Sequence, residues 1–175
     1  LVFTDQGIKN AGILACLTEE LDKLDIVYHV TDDLKAEPAY TDVEKAVEES
    51  SAFACDLIFA IGGGSVMDAA KLFSVLKGAD YTLRDLLKDP SQARKRIKTV
   101  MIPTTCGTGA EATCNAIVAI PEKQSKKGIV NDSMIPDYVI LDSQMIRKLP
   151  KSIVAATGVD ALAHVVECYT SKKAT

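Results

Sequence analysis

Tryptophan is absent from this chain of 175 residues, and aromatic residues of all kinds make up only 5% of it. Histidine occurs twice, at His29 and His164. A basic surplus is missing as well: 20 Lys and Arg stand against 24 Asp and Glu, a formal net charge of −4. That argues against a nucleic-acid binder, which needs a positive face to neutralise phosphates. No apolar run approaches the ~20 residues of a membrane span, and no charged segment leads into an apolar stretch at the start. Low-complexity tracts and internal repeats are lacking too, which sets disorder and repeat architectures aside. Cys16, Cys55, Cys106, Cys114 and Cys168 are odd in number and form no Cys-x-x-Cys pair. A reduced, cytoplasmic chain is the simplest reading, with the cysteines as small packing residues.

What is present is ordinary globular material, 47% hydrophobic and 25% charged. A chain of this length fits one compact domain and can bury a sizeable core. Residues 1–4 already read as a buried strand, and 158–170 read as a helix with nothing after it to pack against. Both ends therefore suggest a piece of a larger protein.

Between them, strand-like runs alternate with helical periodicity. After 1–4 comes a helix with Ile8, Ala11, Leu14, Leu17, Leu21 and Leu24 on its buried face, a near-threefold spacing. Residues 26–30 predict the second strand. A helix after Pro38 carries Val43, Ala46, Val47 and Ala54 on one side. Residues 57–61 form a continuous apolar strand, as expected where a parallel sheet is covered on both faces. Three glycines break it, and 65–77 resume helical spacing, closed by Gly78. Residues 99–102, 116–120 and 138–141 predict further strands. Asp142 or Ser143 can cap a short helix that ends near Pro150. Such alternation predicts an open, mostly parallel α/β sheet with flanking helices. Residues 1–150 would form this unit, and 151–175 would begin a helical one.

Ile61-Gly62-Gly63-Gly64-Ser65 joins a buried strand to a helix. Such a loop can set backbone N–H groups and a helix N-terminus against a pyrophosphate, because no Cβ blocks close approach. It is neither a Walker A loop nor the usual Gly-x-Gly-x-x-Gly, since Met67 takes the third glycine position. A plain tight turn is the alternative, but three consecutive glycines cost roughly 0.5–1 kcal/mol each in conformational entropy, which favours phosphate binding. Asp5 sits at the end of the first strand, where ligands bind in open α/β folds. It could accept both ribose hydroxyls of a nucleotide and repel a 2′-phosphate. It precedes Gly62 by 57 residues, whereas the usual acid follows the glycines, so a helix cap is an equal reading. Thr104, Thr105 and Thr108, in Pro103-Thr104-Thr105-Cys106-Gly107-Thr108-Gly109, suit the edge of a nucleotide; an ordinary polar loop explains them almost as well.

Asp160 and His164 are four apart, which on a helix puts them one turn apart on one face. A carboxylate oxygen and an imidazole nitrogen there could hold one divalent metal, or simply pair with each other. Two ligands do not make a tight site. His29 shows no relation to the pair. Arg94, Lys95, Arg96 and Lys98 read as a solvated edge.

Taken in order, three segments resemble the iron-dependent (group III) alcohol dehydrogenase family. They are Ala60-Ile-Gly-Gly-Gly-Ser-Val-Met-Asp68-Ala-Ala-Lys71, then Ile102-Pro-Thr-Thr-Cys-Gly-Thr-Gly-Ala-Glu111, then Ala155-Ala-Thr-Gly-Val-Asp-Ala-Leu-Ala-His164. The resemblance is to lactaldehyde, propanediol and butanol dehydrogenases, within the dehydroquinate synthase-like superfamily. It implies a Rossmann-like NAD-binding domain followed by an all-helical domain, with the active site between them.

It further implies that Gly62, Gly63, Gly64 and Ser65 hold the pyrophosphate, with Asp68 close by. Asp5 would select NAD over NADP, while Thr104, Thr105 and Thr108 would line the cofactor. Lys126 would lie near the nicotinamide ribose, although Lys127 could take that place. Asp160 and His164 match the first two ligands of Fe²⁺ or Zn²⁺, and the family's further two histidines do not occur in this chain. Ala110 stands where a serine is common.

The implied reaction is hydride exchange between NAD and a small primary alcohol or aldehyde, in a cytoplasmic homodimer that engages no membrane or nucleic acid. Two other outcomes are a glycerol dehydrogenase or dehydroquinate synthase-like enzyme, and a catalytically silent nucleotide-binding piece.

Overall fold

The computed structural model describes residues 1–33 and 37–172, with the side chain of Ser51 left aside. Residues 173–175 of the expected helical unit lie outside the described residues. The strands are β1 (Val2–Phe3), β2 (Val30–Thr31), β3 (Leu57–Gly62), β4 (Lys98–Pro103), β5 (Asn115–Ile120), β6 (Ser125–Val130) and β7 (Tyr138–Val139). The α-helices are α1 (Gln6–Asn10), α2 (Ala15–Lys23), α3 (Tyr40–Glu49), α4 (Gly64–Leu76), α5 (Leu83–Lys88), α6 (Ser143–Ile146) and α7 (Lys151–Thr170).

A five-stranded sheet has the order β2-β1-β3-β4-β7, and every pairing in it is parallel. This is the expected mostly parallel α/β architecture. β3 and β4 form its centre, in register from Leu57 opposite Lys98 to Gly62 opposite Pro103. One face buries Val2, Ile61, Val100 and Ile102 against Ile8, Leu14 and Leu21 from the first helical stretch. The other face buries Phe3, Ile58, Ala60 and Met101 beneath Val66, Met67, Ala70 and Phe73 of α4. The Phe3 and Phe73 rings meet edge to face, centroids 5.2 Å apart.

A third layer lies beyond α4. Leu72, Val75 and Leu76 on its far side pack with Tyr40 and Val43 of α3, Leu83 and Leu86 of α5, and Ala116, Val118 and Ile129. Helix α4 is thus covered on both sides, and its residues from Val66 to Leu76 are buried throughout. Apart from Asp68, Lys71 and Ser74 these residues are apolar, the composition of a helix that belongs in an interior.

Several elements differ from the sequence reading. The helix predicted through Ile8–Leu24 is two helices, because Gly12 at φ +72° turns the chain between α1 and α2. A left-handed φ of that size is open to glycine at little cost. Ala11 and Leu24 consequently face solvent. Residues 26–29 are not strand; Ile26 and Val27 are exposed, and pairing begins at Val30. Helix α3 ends at Glu49, leaving Ala54 outside it and exposed.

β5 is a strand as expected but stands apart from the parallel sheet. It pairs antiparallel with β6, which the sequence reading missed. Asp142 caps α6 by accepting from the Gln144 N–H. α7 runs from Lys151 to Thr170, taking in the helix expected at 158–170 and beginning where the helical stretch was expected to begin.

Candidate functional site

The strand order reverses between β1 and β3: the chain leaves β1 for the β2 edge and returns on the other side. In open α/β sheets ligands bind beyond the carboxyl ends of strands at such a point. Asp5 follows β1, Gly63 follows β3 and Thr104 follows β4, so the three singled-out segments emerge side by side. The Thr104 N–H donates to the Gly62 carbonyl at 2.9 Å, which extends the β3–β4 ladder into the loops.

A cleft of about 500 Å³ opens on this side. Its walls include Gly64, Ser65 and Asp68 from the first turns of α4, and Thr108 from the loop after β4. The hairpin supplies Ile117 and Lys126, and α7 supplies Asp160 and His164. Seven of the predicted residues therefore meet in one place: Gly64, Ser65, Asp68, Thr108, Lys126, Asp160 and His164. Asp160 Oδ1 lies 3.6 Å from His164 Nε2, each side chain about half exposed.

The remaining predicted residues do not line this cleft. Gly62 faces α4, where a β-carbon would sit 2.7 Å from Val66 Cγ2. Gly63 is the N-cap residue of α4, and Thr105 is its nearest side-chain neighbour. Thr104 is fully buried. Asp5 caps α1, its Oδ1 accepting from the Ile8 N–H at 2.9 Å. The cap half of the Asp5 reading is thus realised.

Two features escaped the sequence reading. Glu37 lines the cleft, pairs with Lys126 Nζ at 2.5 Å and donates its N–H to Ser65 Oγ at 3.2 Å. Lys71, one turn beyond Asp68, is completely buried, its Nζ on Thr113 Oγ1 (3.0 Å) and the Asn115 carbonyl (2.9 Å). Asp68 Oδ1 lies 3.5 Å from the same ammonium. Burial pushes the Asp68 carboxyl above its usual range, with Lys71 opposing. Burial likewise lowers Lys71, with Asp68 opposing.

The cysteine expectation needs correction. Cys16, Cys106 and Cys168 are exposed rather than packed, since they stand on outward faces of α2, the loop after β4 and α7. Cys55 packs against a core cluster, and Cys114 is partly buried. The basic segment behaves as a solvated edge: Lys95 pairs with Asp137 at 2.9 Å and Arg96 with Asp80 at 3.4 Å. No described helix is long and apolar enough to cross a membrane.

The residues present suit a dinucleotide better than a metal. A β-carbon on Gly64 would stand 2.9 Å from Thr108 Cγ2, so this helix start is bare backbone beside a hydroxyl. Backbone N–H groups at a helix N-terminus bind phosphate. The Asp160–His164 pair offers one oxygen and one nitrogen donor, short of the three or four protein ligands usual for a held metal. Among the described residues no group of three His, Cys, Asp or Glu side chains comes together to hold an ion.

Comparison with known proteins defines the class. The structure superposes on an iron-containing alcohol dehydrogenase of Thermotoga maritima with a TM-score of 0.89 and 36% identity, covering 99% of this chain and 48% of that one. A sulfoacetaldehyde reductase of Bifidobacterium kashiwanohense, solved in complex with NAD⁺, gives 0.88 at 28% identity over 98% of this chain and 45% of its own. The probable alcohol dehydrogenase EutG of Salmonella typhimurium is 35% identical over 175 residues, 99% of this chain and 44% of that protein.

The iron-containing alcohol dehydrogenase family model matches residues 1–143. The chain belongs to the iron-containing alcohol dehydrogenase family. It spans less than half the length of these relatives.

Proposed function

We propose that this chain is the nucleotide-holding part of an oxidoreductase that exchanges hydride between NAD and a small primary alcohol or its aldehyde. One observation carries the reading: the bare start of α4 at Gly64–Ser65 and the Asp160–His164 pair share a single cleft. The NAD⁺ complex of the sulfoacetaldehyde reductase supports the choice of cofactor.

In this reading the N-terminus of α4 and Ser65 bind the pyrophosphate, and Thr108 flanks it. Asp5, on the neighbouring strand end, accepts from the adenosine ribose and disfavours a 2′-phosphate. Lys126 steadies the nicotinamide ribose, which requires it to leave Glu37. The hydride leaves the alcohol carbon for the nicotinamide ring, and the hydroxyl proton passes to solvent, so aldehyde and NADH are the products.

Asp160 and His164 would provide two ligands of a divalent metal, Fe²⁺ or Zn²⁺, completed by donors beyond the described residues. Such an ion, when bound, supplies a Lewis acid for the substrate oxygen. The reading includes a homodimer in the cytoplasm; light scattering of the purified protein tests the first part.

The direct test is a fluorescence titration of the chain with NADH beside NADPH. Saturable NADH binding with weaker NADPH binding is expected, and no binding to either would overturn the reading.

The two-donor metal pair favours a second reading, in which the 175-residue chain binds the nucleotide and is itself catalytically silent. Alcohol oxidation by the purified chain well above the blank rate would contradict that. In the holoenzyme, Asp160→Ala is expected to abolish metal retention and turnover together.

A further inference from the structure

Lysine is almost never fully buried without a partner, and taking an ammonium out of water costs several kcal/mol. Lys71 is fully buried nonetheless. The hairpin explains how. β5 has β6 along one edge, and its opposite edge meets α4. On that edge the Asn115 carbonyl accepts from Lys71 Nζ at 2.9 Å, and the Ile117 N–H donates to Asp68 Oδ2 at 3.0 Å. Thr113, two residues earlier, supplies the hydroxyl that receives a second Lys71 donor. An acid and a base one helical turn apart thus grip alternate residues of one strand and satisfy backbone groups that no neighbouring strand reaches.

The grip leaves one atom over. Asp68 Oδ1 is buried and accepts no hydrogen bond, although it stands 3.5 Å from the Lys71 ammonium. An unsatisfied carboxylate oxygen is costly, and such an atom in a native structure calls for an explanation, of which a donor on a bound group is one. Asp68 lines the cleft that also holds Gly64, Ser65 and Lys126.

We propose that Lys71 is a positioning residue of this cleft: its ammonium fastens the β5–β6 hairpin to α4 and holds the Asp68 carboxylate on the cleft wall, where a small turn of the carboxylate brings its spare oxygen to an N–H or O–H donor of the bound nucleotide. The second clause rests on the nucleotide reading above; the first stands without it. Hydrophobic bulk at position 71 would fill the same space, yet it would leave Asp68 as an uncompensated buried acid. The carboxyl then takes a proton, and the shape of the acceptor is lost. The other charged or titratable groups facing this place are Cys114 and Glu111 near Lys71, the Glu37–Lys126 pair, and Asp160 with His164 across the cleft.

The test compares the chain with Lys71→Met and with the double variant Asp68→Asn/Lys71→Met. Three readouts are taken: NADH affinity, thermal melting, and hydrogen exchange of the Ile117 amide in the free chain. Lys71→Met is expected to melt earlier, to lose Ile117 protection and to bind NADH about tenfold more weakly, one strong hydrogen bond's worth. The double variant carries no buried acid that must be neutralised without its ammonium, so its melting recovers while its NADH affinity does not.

A merely structural lysine would give the opposite pattern, affinity recovering together with stability, and that result would overturn the proposal. So would unchanged affinity in a folded Lys71→Met. Should the unaltered chain bind no NADH, the nucleotide reading falls by itself. The fastening is then judged on Ile117 alone: lost protection upholds it, and unchanged protection overturns it.

Discussion

A β-carbon on Gly107 would stand 2.6 Å from the carbonyl oxygen of Thr157, closer than any real contact permits. Gly107 belongs to the loop after β4, and Thr157 lies one turn before Asp160 on α7. No residue of α7 is buried, so this close approach is a principal seat of the helix. Gly107→Ala is therefore expected to unseat α7 and leave the core intact. Hydrogen exchange checks it: α7 amides should exchange faster while α4 amides keep their protection. Equal protection of α7 in both proteins would refute the idea.

The glycine run divides by the same steric measure. A β-carbon on Gly62 meets Val66 Cγ2 at 2.7 Å and its Cβ at 2.8 Å, and a β-branched side chain in the first turn of a helix has nowhere to turn. Gly62→Ala should destabilise the fold by roughly 1–3 kcal/mol, the usual cost of overpacking. On Gly64 the obstacle is the Thr108 side chain, which is exposed. Gly64→Ala should change stability by less than about 1 kcal/mol while weakening NADH binding. Urea unfolding and NADH titration of both variants separate the two roles.

Asp5 carries a cap and, in the proposed reading, a specificity. Asn caps a helix about as well as Asp, whereas Ala costs about 1 kcal/mol there. Asp5→Asn should thus keep the melting temperature and narrow the preference for NADH over NADPH. Asp5→Ala should lower both. If Asp5→Asn leaves the preference unchanged in paired titrations, Asp5 is a cap and no more.

Asp137 ties the approach to β7 onto β4. Its Oδ2 accepts from Lys95 Nζ and from the Thr99 N–H, each at 2.9 Å. Burial acts to raise its pKa, but the bonds from Lys95 and Thr99 outweigh it and hold the carboxyl below its ordinary 3.8. A depressed carboxyl stabilises the fold above its unfolded pKa and loses that contribution as pH falls through the folded value. Asp137→Asn should cost about 1–3 kcal/mol at neutral pH, as for a hydrogen-bonded charged group. The gap between variant and parent should narrow once the pH is brought below the ordinary 3.8. Urea unfolding at the two pH values decides, and a gap independent of pH would contradict the assignment.

How much of this was readable beforehand depends on the kind of signal. β3 is buried on both faces, so 57–61 stood out as one apolar run, and the glycines after it marked the turn into α4. β6 left no such trace: of Ser125–Val130 only Ile129 is buried, so no alternation survives. Threefold apolar spacing ran straight through Gly12, because periodicity carries no information about a reversal of φ.

Lys71 was visible as part of a motif, but a lysine in a helix reads as solvent-facing until the third layer is known to cover it. The Glu37–Lys126 pair joins residues 89 apart in sequence, a product of topology that no local pattern announces.

The double covering of α4 bears on how the molecule opens. Its inner side is locked into the parallel sheet and its outer side into the hairpin layer. Local fluctuations draw on segments with few buried apolar contacts, such as α7, and spare elements held from both sides. The slowest-exchanging amides should therefore lie along α4, with the floor of the cleft opening only when the whole domain does. A nucleotide would then meet a rigid floor beneath walls that move.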